Sequence, residues 1–180
     1  MAPSWYGTPK AAFYEIRKTL DEEEVATSTI LAMVASVSDA TFDEFSNMPP
    51  APSLVQTAMA FRCDSAVFRA ICGRTKSAFT MQKAWWSLAN TRAPKEFCLH
   101  LANCYATKGL ETTEDRVQWI AACMHGERRV WFWKEVVAVQ LALVQDKSIL
   151  QENFSRQRQQ MPAGVSAYLR TALGLPDDYE

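Results

Sequence analysis

Glycine is scarce in this chain of 180 residues, six in all, and the eight prolines gather at apparent element boundaries. That distribution argues against a turn-rich β fold and favours helices joined by short connections. No run approaches the ~20 apolar residues of a membrane span, because Val130 to Val144 is broken by Lys134, Glu135 and Gln140. Met1 to Lys10 lacks a basic region followed by an apolar one, so secretion is not expected and a cytoplasmic protein is. The cysteines, Cys63, Cys72, Cys98, Cys104 and Cys123, are odd in number and lie in apolar helical contexts. They read as buried, reduced thiols and not as a disulfide framework.

One more absence is local. From Ser65 to Lys95 there is no Asp or Glu, yet Arg69, Arg74, Lys76, Lys83, Arg92 and Lys95 stand there among Phe68, Phe79, Trp85 and Trp86. Cationic side chains neutralise phosphates and aromatic faces stack on splayed bases, so the stretch suits a polyanion. The net charge of the whole is only −1, because residues 1–61 set eight acids against Lys10, Arg17 and Lys18. An acidic first third and a basic middle could meet between subunits, or could be two solvated helix surfaces.

What is present is a globular composition, 48% hydrophobic and 22% charged, which excludes wholesale disorder. The pattern predicts an all-α, single-domain bundle of about nine short to medium helices. Thr8 and Pro9 open the first, with Phe13, Ile16 and Leu20 on one face. Asp21 to Glu24 and Thr41 to Glu44 have capping-box spacing. Pro49, Pro50 and Pro52 make a stiff corner that sets off residues 1–52 as a candidate arm or subdomain. Asp64 caps a helix that Gly73 should stop, and Asn90 is placed as the left-handed end of the Trp85/Trp86 helix. Pro94 opens a helix ending at Gly109, Thr112 opens another ending at Gly126, and Arg128 to Gln145 reads as the central helix. Ser148 to Gln160 and a helix bearing Val165 and Leu169 complete the bundle, before a loose tail over residues 176–180.

Chemistry of other kinds finds little support. Cys98, His100 and Cys104 would diverge on a helix by about 200° and 240°, and no Cys-x-x-Cys or His-x-x-x-His pair accompanies Cys123 and His125, so no metal site is expected. There is no Gly-x-Ser-x-Gly elbow and no glycine-rich phosphate loop. The acidic clusters are explained by capping and solvation. No enzyme activity and no cofactor are expected. Trp131 and Trp133 suit core packing, whereas Trp85 and Trp86, about 100° apart on a helix, leave at least one at an edge where a partner could be met.

From Phe68 to Phe97 the chain resembles the coat proteins of flexuous, potexvirus-like plant RNA viruses. There a Phe-Arg-x-x-Cys-x-Arg helix leads to a Trp-bearing helix and an Asn-x-x-Pro turn, matched here by Phe68, Arg69, Cys72 and Arg74, then Trp85, Asn90 and a displaced Pro94. The resemblance implies an all-α subunit that polymerises helically around RNA, in the host cytoplasm or the virion. The expectation is thus a self-associating, non-enzymatic coat or nucleocapsid protein whose Arg69, Arg74, Lys76, Arg92 and Lys95 contact single-stranded RNA, with Trp85 and Trp86 at an interface. The alternative is a monomeric or dimeric adaptor or inhibitor that offers the same basic, Trp-bearing surface to an acidic protein.

Overall fold

Eleven helices and no strand make up the described residues of the computed structural model, 9–22, 25–45, 52–90 and 92–177, so the fold is all-α with more helices than the nine expected. The chain groups into two compact units, Met1–His100 and Leu101–Glu180. Each is described by itself.

The first unit holds α1 (Pro9–Asp21), α2 (Thr27–Ser36), α3 (Asp39–Glu44), α4 (Leu54–Phe61), α5 (Ser65–Arg74), α6 (Ala78–Asn90) and the first part of α7 (Lys95–Cys104). Helix α1 packs on α3 and α4, α2 on α5, and α4 on both α5 and α6. Phe13 stacks on Phe45 with ring centroids 4.4 Å apart, and Phe68 on Phe97 at 4.1 Å with the rings nearly parallel. All four rings are buried, with Ile16, Val67, Ile71, Met81, Trp85 and Leu88. Ser53 caps α4 in a capping box with Gln56, whose amide goes on to the Ser87 hydroxyl of α6 at 3.0 Å. A Ser-x-x-Gln spacing ahead of an apolar run is readable in sequence.

Several boundaries differ from expectation. Helix α1 runs on through Asp21, and α2 starts after an extended Ala26 with no side-chain cap, so Asp21 does not open it. Glu23, Glu24, Thr8 and most of the proline corner lie outside the described residues. Thr41 does not open α3 but is buried within it, its hydroxyl 3.1 Å from that of Ser38. Gly73 lies inside α5, which runs one residue further to Arg74, because the chain does not turn left-handed at that glycine. That turn after α6 falls at Arg92, φ 48°, and not at Asn90, while α7 stops at Cys104 and Gly109 takes φ 88° in the loop beyond.

The second unit holds α8 (Thr113–Gly126), α9 (130–141), α10 (Ser148–Gln157) and α11 (Ala163–Ala172). Thr112 caps α8 by accepting from the Asp115 amide at 3.1 Å, as its spacing predicts. Helix α9 is three contiguous stretches, Val130–Phe132, a π-helical Trp133–Val137, and Ala138–Leu141. Its buried residues, Phe132, Trp133, Val136, Val137, Gln140 and Leu141, recur every four positions. A regular α-helix would rotate such a set by about 40° at each step, and a wider π turn offsets the drift so that all six face inward. Lys134 and Glu135 remain outside. Helix α8 packs on α10 and α9, and α11 packs on α9 around Trp119, Phe154, Val165 and Leu169.

Candidate nucleic-acid interface

Arg74, the last residue of α5, sits where α2 ends. Its Nε is 2.8 Å from Asp39 Oδ1, Nη1 donates to the carbonyls of Val34 at 3.3 Å and Ala35 at 3.1 Å, and Nη2 donates to that of Val37. These are carbonyls that the end of α2 leaves without helical donors, and a planar, five-donor guanidinium suits several at once. The Arg74 hydrogen bond holds the Asp39 carboxyl below its ordinary value against a smaller opposing effect of desolvation, and the charges of Arg74 and Lys76 act in the same sense. Asp43, one turn after Asp39, accepts from the Ser77 amide at 3.0 Å. So part of the acidic first third folds against this end of the basic stretch, and Arg74 is removed from the expected RNA contacts. Sequence spacing held a weak signal: two carboxylates four apart on a short helix repel each other by a few tenths of a kcal/mol, which a cation on that side relieves.

The other named cations remain outside. Arg69, Lys76, Arg92 and Lys95 are all exposed, Lys76 with its ammonium 3.3 Å from the Gly73 carbonyl. Arg69 lies along the seam where α5 meets α7 through Phe68 and Phe97. It acts electrostatically on His100, whose pKa is depressed by desolvation first and by Arg69 second. Both effects favour the neutral imidazole. Lys95 and Arg92 lie at the start of α7, where Glu96 is the nearby carboxylate, 3.5 Å from the Ser65 hydroxyl.

Trp85 and Trp86 part company as their 100° offset requires. Trp85 is fully buried, which corrects its assignment to an interface, while Trp86 is 37% exposed. Phe79, 45% exposed, shares the outer side of α6 with Trp86, and the Lys83 ammonium lies 4.5 Å over the Phe79 ring. At 100° per residue, Phe79, Lys83 and Trp86 fall within about 60° of one another and extend over about 10 Å of helix. Sequence reasoning named these residues in the basic stretch but did not join them into one face, although their i, i+4, i+7 spacing was available.

Among the described residues no three His, Cys, Asp or Glu side chains are grouped to hold a metal ion. The five thiols form no disulfide; Cys72, Cys98 and Cys123 are buried, whereas Cys104 is exposed, contrary to expectation. Burial pushes the half-buried Cys63 thiol up to about 12, and that of Cys123 also upward. Cys63 lines a hollow of about 380 Å³ with Asp21, Ile30, Phe61 and Asp64. Such a shift lowers the fraction of thiolate at neutral pH. Among the described residues no helix is long and apolar enough to cross a membrane.

No protein-family model matches the sequence, and no curated protein and no solved structure matches the chain.

Proposed function

We propose that this chain is a non-enzymatic, self-assembling protein of the coat or nucleocapsid type that binds single-stranded RNA in the cytoplasm through Arg69, Lys76, Arg92 and Lys95. The observation that carries the reading is the exposure of those four cations along a stretch with no acid of its own, Arg74 alone of the five being half-buried and paired with Asp39. Phosphates are met by these side chains, and the sequence of the RNA is not read by them. A few cations per copy suffice when many copies line one strand, and a net charge of −1 keeps repulsion between neighbouring copies small. The likeness to flexuous-virus coat proteins over Phe68 to Phe97 points the same way.

Binding of a fluorescent single-stranded RNA across a salt series tests the phosphate contacts. Four contacts predict a log–log slope of about −3, at about 0.7 per phosphate. Affinity that ignores salt would remove the mechanism. Negative-stain microscopy with and without RNA tests assembly: filaments or large particles support it. A monomer or dimer that binds polyglutamate as tightly as RNA would favour the adaptor reading instead.

A further inference from the structure

The phosphate contacts leave the outer face of α6 unassigned, and that face has an unusual content for a helix surface. Two large apolar rings, Phe79 and Trp86, stand 45% and 37% exposed with a lysine between them. No Asp or Glu occurs anywhere on α6 or on α5 before it. An apolar protein partner would not require the cation, and a carboxylate-free, cation-bearing helix repels nothing in a polyanion. Aromatic faces interleaved with positive charge match a single strand, whose bases present π-faces and whose backbone presents phosphates.

We infer that Phe79, Lys83 and Trp86 form a stacking platform for unpaired bases of single-stranded RNA, an inference that rests on the RNA reading above and extends it from phosphates to bases. The Lys83 ammonium lies over the Phe79 ring and is the group that an arriving phosphate draws toward itself. Doing so exchanges a cation–π contact for a charge-assisted one and uncovers a ring face for a base. Trp86, two turns along, receives a second base. The platform takes any base, because stacking makes no use of hydrogen-bonding edges, and it rejects a duplex, whose bases are already stacked on each other.

The experiment compares Phe79→Ala, Trp86→Ala and Trp86→Phe with the unchanged protein against three probes: a 12-nucleotide oligoadenylate, the same strand annealed to its complement, and inorganic polyphosphate. Removing an exposed ring leaves the core intact, and circular dichroism confirms folding before titration. Expected is a loss of roughly tenfold in oligoadenylate affinity for each Ala variant, near-normal binding by Trp86→Phe, an unaltered salt slope, and unaltered polyphosphate binding. Weak duplex binding by the unchanged protein is also expected. Ala variants that bind oligoadenylate as the unchanged protein does would overturn the platform while leaving the phosphate contacts standing, provided Arg69→Gln and Lys95→Gln still weaken binding. An unchanged protein that binds neither oligoadenylate nor polyphosphate would overturn both.

Discussion

Replacing Arg74 by alanine separates a structural arginine from an RNA-binding one. The substitution removes the donors to the carbonyls of Val34, Ala35 and Val37 and the ion pair with Asp39. The Val34 and Val37 bonds are part-buried, so their oxygens do not simply revert to water. At about 1 kcal/mol for each of three carbonyl bonds, the loss comes to about 3 kcal/mol. At roughly 2–4 °C per kcal/mol for a chain of this length, the melting temperature should fall by roughly 6–12 °C. Arg74→Lys keeps the charge but not the fork, and should recover less than half of the loss. The assay is thermal and urea unfolding monitored by far-ultraviolet circular dichroism, with single-stranded RNA affinity measured on the folded variant below its transition. Stability should fall while RNA affinity and its salt slope hold. A variant that melts like the unchanged protein yet loses RNA would refute the assignment of Arg74 to the fold.

Asp39 adds a pH dependence: with its pKa depressed below 3.8, its contribution is complete above that value and is lost as pH falls through the depressed one. Asp39→Asn should therefore flatten the acid limb of the unfolding profile. His100, a base with a depressed pKa, favours the fold above 6.5 and loses that contribution as pH falls toward its folded value. Arg69→Gln should raise the His100 pKa slightly in an NMR titration, leaving the larger effect of desolvation in place. Phe68→Ala breaks a fully buried ring stack and should cost about 3–5 kcal/mol in urea unfolding. Gly73→Ala, inside α5 with nothing within 4 Å of the added carbon, should stabilise by about 0.5–1 kcal/mol, whereas Gly174→Ala at φ 70° should destabilise by about 1–2 kcal/mol. Maleimide at neutral pH should label exposed Cys104 first and Cys63 slowly.

Helix class and most helix positions were legible because apolar spacing carries them: Phe13, Ile16 and Leu20 do bury one side of α1, and Pro9, Asp64, Pro94 and Thr112 do stand at helix starts. The ends were less legible. Gly126 does end its helix, whereas Gly73 has the same residue type and α5 runs through it to Arg74. Whether a glycine uses its left-handed freedom is decided by the packing of the neighbouring elements. The candidate site divides along the same line. Exposure of Arg69, Lys76, Arg92 and Lys95 accords with their local sequence, whereas the capture of Arg74 depends on Asp39, 35 residues away, and on where α2 happens to end. Trp85 and Trp86 could be split by helical geometry, but which one turns inward depends on the packing of α6 against α4.

The Arg74 contacts also bear on domain swapping. Residues 34, 35, 37 and 39 provide its acceptors, and all of them precede the stiff proline corner expected from the sequence. Lending the segment before the corner to a second copy would strand a partly buried guanidinium at home unless a reciprocal segment arrived simultaneously. An exchange of that segment between two copies would therefore have to be reciprocal.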